Sequence, residues 1–207
     1  MSTGDYCHLR SGVDDADLHD GRIGYHADRS SFEVSTGAGV LSRIWLLRFW
    51  GRADEHDPVS PHYVTLTAVD TAVPDMPEKP DAFTYWRHTP LLLTAGSGDQ
   101  VRLGAVGHGI APEAGGYWIA ERRLRPHPAG GKEPVTTLRL ESMANRGLYL
   151  CHQRDPDTGA LGTSLTLGPS RLALHAQDNA DQDMWWRPEP IAVDCEAGAQ
   201  SAVVACA

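Results

Sequence analysis

A chain of 207 residues with 41% hydrophobic and 22% charged residues has the make-up of a globular protein with a packed core, which argues against wholesale disorder. Its net charge of -9 at pH 7 argues against a nucleic-acid partner, because such surfaces draw their affinity from Lys and Arg neutralising phosphates. No run approaches the eighteen apolar residues of a membrane span and the N-terminus MSTGDYCHLRSG lacks the pattern of a secretory leader, so no membrane partner and a cytoplasmic location are expected.

The 21 glycines and 14 prolines are scattered through the chain and cut it into short segments, most of which alternate apolar and polar residues with period two. In chain order the segments begin with Cys7-His8-Leu9, behind Tyr6, followed by GRIGYHAD around Tyr25. Phe32-Glu33-Val34 and SRIWLLRF around Trp45 come next. The same order then recurs as Val64-Thr65-Leu66 behind Tyr63, FTYWRHT around Tyr85, Val101-Arg102-Leu103 and GYWIAERRL around Trp118. It recurs again as Leu138-Arg139-Leu140, GLYLCHQ around Tyr149, Leu165-Thr166-Leu167 and DMWWRPEPI with Trp185 or Trp186. Twelve short strands in three pseudo-symmetric four-strand repeats predict an all-β protein of the β-trefoil plan, in which three units that cannot bury their apolar faces alone close around one axis. The competing reading is a different β-sandwich or barrel. The trefoil register predicts threefold layers of Leu9, Leu66 and Leu140 and of Tyr25, Tyr85 and Tyr149. One domain is expected over residues 1–193, with 194–207 (DCEAGAQSAVVACA) a small-residue tail.

The third repeat, LRLESMANRGLYLCHQ through SLTLGPSRLALHAQDNADQDMWWRPEP, resembles one unit of the trefoil superfamily that includes the ricin-B-like lectins and fascin-like domains. The resemblance runs over residues 5 to 193, strongest in the third repeat and weakest in the first. It implies a ligand-binding protein, lectin-like and carbohydrate-binding, with a small molecule or glycan as partner and no cofactor. Ricin-type units carry Gln-x-Trp in the fourth strand, whereas here Gln182 stands three places before Trp185 and the other units have no such glutamine. No sugar-binding residue is therefore carried over.

Trp45, Trp118 and one of Trp185 and Trp186 occupy equivalent repeat positions, as core residues should. The tryptophans outside that pattern are left to stack on a sugar ring or flat ligand. The expected ligand-binding set is Trp50, Trp86, His88, His152 and Trp186, the two histidines occupying matching positions at the end of the second strand. Cys151 and His152 are neighbours on a strand and point to opposite faces, so any nucleophile served by His152 must come from elsewhere in the chain. No metal is expected: His19 in DDADLHDGR and His56 in DEHDP match no ligand spacing. Cys7, Cys151, Cys195 and Cys206 contain no CxxC pair and are read as reduced thiols, with a Cys195–Cys206 bridge the alternative in an oxidising setting.

The chain has no GxSxG elbow, HExxH, P-loop or dinucleotide fingerprint, so no catalytic residue is assigned. Two alternatives to a glycan binder stay open. One is an enzyme of specialised metabolism with His and Asp acid-base groups in a trefoil pocket. The other is a protein-interaction module, such as a protease inhibitor, acting through the proline-stiffened loop at 68–82.

Overall fold

The structure is a computed structural model. It describes residues 4–13, 21–25, 32–35, 44–57, 59–69, 91–105, 113–125, 127, 132–169 and 182–191. Twelve strands lie among the described residues: β1 (Gly4–Ser11), β2 (Arg22–Tyr25), β3 (Phe32–Ser35), β4 (Ile44–Arg52), β5 (His62–Val69), β6 (Leu91–Ala95), β7 (Val101–Ala105), β8 (Trp118–Arg125), β9 (Val135–Ser142), β10 (Leu148–Arg154), β11 (Leu161–Pro169) and β12 (Trp185–Pro190). Short 3-10 turns at Ala114–Gly116 and Gln182–Met184 lead into β8 and β12. Among the described residues no helix is long and apolar enough to cross a membrane.

Strand pairing follows the repeat. β1 pairs with β4, β4 with β5, β5 with β8, β8 with β9, β9 with β12 and β12 with β1, all antiparallel. Six strands therefore close into a ring with no free barrel edge. The other six form three hairpins, β2–β3, β6–β7 and β10–β11, one between the outer strands of each repeat. The fold is a β-trefoil.

Its threefold register can be read from one repeated hydrogen bond. The indole N–H of Trp45 donates to the Ile23 carbonyl at 2.9 Å, that of Trp118 to Leu93 at 2.9 Å and that of Trp186 to Leu150 at 3.1 Å. Each of these tryptophans is fully buried, so its N–H must find a partner inside the protein, and in each repeat that partner is the backbone of the second strand. The bond latches each hairpin onto the barrel. Leu9, Leu66 and Leu140 are likewise fully buried, as the alternation along β1, β5 and β9 predicts. Burying each stabilises the fold by about 2 kcal/mol.

The second-strand layer differs from the expected one. The latch makes Ile23, Leu93 and Leu150 the equivalent positions, which puts Tyr25 and Tyr149 at different places in their repeats. Tyr149 is only half-buried and lies under the Arg139 guanidinium, 4.5 Å from the ring centre. The second strand of the middle repeat is β6, whose Leu91, Leu92 and Leu93 are all buried, and the segment around Tyr85 lies outside the described residues. A short all-apolar run has no alternation to reveal it as a strand. Two places beyond the latch, His152 is equivalent to Ala95 and Tyr25, while His88 lies outside the described residues.

Where β1 leaves the barrel the chain passes close to β12, and the Gly12 N–H donates to the Trp185 carbonyl at 2.7 Å. A Cβ on Gly12 would stand 2.5 Å from that oxygen, so only glycine allows this approach. It holds the end of β1 against the tryptophan doublet. Residues 192–207, with Cys195, Cys206 and the expected tail, lie outside the described residues.

Candidate functional site

The repeated tryptophans Trp45, Trp118 and Trp186 are core residues, so a ligand site must use side chains that face away from the core. Trp50 is one. It lies near the end of β4, at a shift in the β4–β5 register between Phe49 and Gly51. Such bulges turn a side chain out of the regular pleat. The side chain is 44% exposed, yet it is held on three sides. Its indole N–H donates to Thr65 Oγ1 at 3.0 Å, Tyr117 meets it edge-on with ring centres 5.9 Å apart and planes at 73°, and the Arg48 guanidinium sits 5.8 Å from the ring. Thr65 is buried and Tyr117 immediately precedes the core residue Trp118, so the supports themselves are anchored.

The surroundings are polar. Beyond Trp50 the end of β4 exposes Arg52, and the β4–β5 connection exposes Asp54, Glu55 and His56. Asp54 Oδ1 accepts from the His56 N–H at 2.9 Å and Asp57 Oδ1 from the Val59 N–H at 2.9 Å, which makes this acidic segment a set of turns closed by its own carboxylates. His62 opens β5 beside it, packed edge-on against Phe49 with ring centres 5.8 Å apart. Burial first, then the positive charges of Arg52 and Arg122, hold its pKa below the usual 6.5. Among the described residues, no group of three or more His, Cys, Asp or Glu side chains is arranged to hold a metal ion.

His152 has a different setting. It is 1% exposed and stacked on Trp186, ring centres 5.1 Å apart and planes at 20°. Its Nδ1 donates to the Gly162 carbonyl at 3.0 Å, which places the proton on that nitrogen and leaves Nε2 to accept from Ser11 Oγ at 2.8 Å. Ser11 Oγ in turn accepts from the Val13 N–H at 3.3 Å. The hydroxyl partner of His152 thus comes from β1, 141 positions away, and no sequence spacing points to it. A serine, a histidine and an acceptor behind the histidine are the parts of a nucleophile and its base. Ser11 is fully buried, however, so no substrate reaches the hydroxyl, and the pair ties β1 to β10.

Trp186 belongs with it. Fully buried and latched to Leu150, it presents no face to a ligand; it is the core tryptophan of the doublet. Trp185, on the outer side of β12, is also buried, lying beneath the guanidinium groups of Arg123, Arg125 and Arg139 at 5.4, 5.0 and 5.4 Å from its ring. Of the five residues expected at the ligand site, Trp50 alone among those described is exposed. His152 and Trp186 are sealed inside, and Trp86 and His88 lie outside the described residues, as do His19 with its aspartates and most of the loop at 68–82. Cys7 is a buried thiol, and the buried Cys151 Sγ donates to the Thr166 carbonyl at 3.6 Å. Burial and, secondarily, the Asp5 charge push the Cys7 pKa up to about 12.

No protein-family model matches the sequence, and no curated protein does. Solved structures are similar in backbone at low identity. A chain described as SeviL bound to asialo-GM1 saccharide is 14% identical with a TM-score of 0.47, covering 91% of this chain and 98% of that one. The SDF2-like protein from Arabidopsis thaliana is 12% identical with a TM-score of 0.47, covering 91% and 94%. The S. cerevisiae protein O-mannosyltransferase Pmt1-Pmt2 complex bound to the sugar donor is 18% identical with a TM-score of 0.46; the match covers 90% of this chain but 24% of that one. The β-trefoil assignment rests on the closed strand ring, and the functional reading rests on the residues of this chain.

Proposed function

We propose that this protein is a carbohydrate-binding β-trefoil in which the exposed face of Trp50 stacks on a sugar ring. The observation that carries the reading is the combination of 44% exposure with a fixed orientation. An indole face offers a flat apolar platform to the C–H face of a pyranose, and an indole already held by Thr65, Tyr117 and Arg48 gives up little conformational freedom when the sugar arrives. Arg52, Asp54, Glu55 and His56 bring hydrogen-bonding groups to the same end of the β4–β5 pair, suited to sugar hydroxyls. The Trp50 position has no aromatic equivalent in the other repeats: counting five places past the core tryptophan gives Arg123 in the second and Ile191 in the third. A feature that breaks the symmetry is not needed to close the barrel.

The test is a glycan array probed with the wild-type chain and with Trp50→Ala. The reading predicts binding to a defined glycan class by the wild type and loss of at least tenfold in affinity in the variant. An array without hits, or equal binding by both chains, overturns it.

A further inference from the structure

Three basic side chains meet at the end of the barrel away from the hairpins, where β4 finishes and β5 begins. Arg52 on β4 stands directly across from His62 on β5, and His62 directly across from Ala120 on β8. Arg122 follows two places after Ala120 and stands across from Leu138 on β9. Val64, Ala120 and Leu138 are buried in the core, and residues directly across from one another share a face of the sheet. Alternation therefore puts Arg52, His62 and Arg122 on the inward side of their strands, at the rim of the barrel's interior. Phe49, packed against the core, meets the His62 ring edge-on with centres 5.8 Å apart and holds it in place.

In a chain of net charge -9 this rim is basic. Burial first, then the charges of Arg52 and Arg122, keep the half-buried His62 from taking up a proton. Among the described residues neither arginine forms an ion pair, and both are exposed. The aspartates that follow Arg52 in the chain are turned to other work: Asp54 Oδ1 accepts from the His56 N–H and Asp57 Oδ1 from the Val59 N–H. A concave rim of one sign attracts ligands of the other.

We infer that Arg52, His62 and Arg122 form an anion-binding site at the rim of the barrel, which takes a carboxylate or sulfate group. The two guanidinium forks donate bidentately to its oxygens, and the imidazole adds a further N–H. A bound anion stabilises the imidazolium, so anion binding and protonation of His62 favour each other, and affinity rises as the pH falls through the histidine's titration. The group is carried either on the sugar that stacks on Trp50, two residues before Arg52, or on a free small ion. The first carrier rests on the Trp50 reading; the site itself does not.

The experiment is NMR titration of the full chain with sodium sulfate and with sodium acetate at constant ionic strength, with sodium chloride as the balancing salt. It is followed at the His62 Cε1–Hε1 signal, which His62→Gln identifies by its disappearance. Expected are a saturable shift of that signal and an upward move of the His62 pKa. In Arg122→Met, which keeps the stem without the charge, affinity should be at least tenfold lower; Arg52→Met should lower it likewise. Sodium glucuronate then assigns the carrier. Binding tighter than that of acetate, reduced to the acetate value in Trp50→Ala, places the group on the Trp50 sugar, and equal binding of the two salts by both chains places it on a free ion. Absence of a saturable shift beyond that given by chloride, or equal affinity in wild type and Arg122→Met, overturns the proposal. Sulfate binding retained by a chain that gives a blank glycan array would separate this site from the Trp50 reading.

Discussion

Replacing Trp186 by phenylalanine separates a core role from a ligand-contact role with one substitution. The change deletes the indole N–H that donates to the Leu150 carbonyl at 3.1 Å, and with it part of the surface stacked on His152 at 5.1 Å. A buried carbonyl stripped of its donor costs about 1–3 kcal/mol. The smaller ring also leaves unfilled volume in a fully buried site, adding about 1–2 kcal/mol for a gap that relaxes only in part. The expected loss is therefore about 3 kcal/mol, read as a lower midpoint in urea with an unchanged slope, because the substitution does not alter the surface exposed on unfolding. Trp45→Phe and Trp118→Phe break the equivalent bonds to Ile23 and Leu93 and should fall within about 1 kcal/mol of it. A Trp186→Phe chain within about 0.5 kcal/mol of wild type would refute the latch and return Trp186 to the surface.

Three further outcomes follow from the same structure. Cys7, with its pKa raised to about 12 by burial, should resist iodoacetamide in the native state at neutral pH and react once urea unfolds the chain; rapid native labelling would contradict its placement. His62 binds protons less readily when folded than when unfolded, so its contribution makes stability fall as pH drops below its ordinary value of about 6.5; His62→Gln should flatten that part of the stability profile, and an unchanged slope would count against the assigned surroundings. Arg154→Met removes the guanidinium that donates at 3.0 Å to the fully buried Asp183 carboxylate and should destabilise the chain by about 2–3 kcal/mol, with Asp183→Asn in the same chain restoring part of the loss in a double-mutant cycle.

The sequence carried the barrel more legibly than the surface. Leu9, Leu66 and Leu140 announce themselves because alternation along a half-buried strand decides which side chains face inward, and local order is enough to see it. Trp45 and Trp118 do so for the same reason. Tyr149 misled because its ring is amphipathic: it lies along a strand but turns outward beneath Arg139, while the latch layer is made by the aliphatic residues Ile23, Leu93 and Leu150. Alternation also requires one member of the Trp185–Trp186 pair to face the core, but the choice follows from the pairing of Ser11 with Trp186 across β1 and β12, which is long-range.

The candidate sites depend on long-range pairing throughout. Ser11 and His152, 141 positions apart, are unremarkable as isolated residues and meet only once the repeats close on one another. Trp50 was visible as the tryptophan that the repeat did not require. What the sequence lacked was its support, because Thr65 and Tyr117 come from the flanking strand β5 and the turn before β8. Buried His152 shows the converse: a polar residue at the end of a strand reads as exposed until the chain that covers it is known.

The most direct test of the glycan platform is fluorine NMR of the chain labelled with 5-fluorotryptophan, which carries one reporter at each of its six tryptophans. Trp50→Phe identifies the Trp50 signal by its disappearance. Addition of the glycan selected on the array should shift that signal in a saturable way and leave those of Trp45, Trp118 and Trp186 in place. A glycan that binds while the Trp50 signal stays fixed would contradict the account.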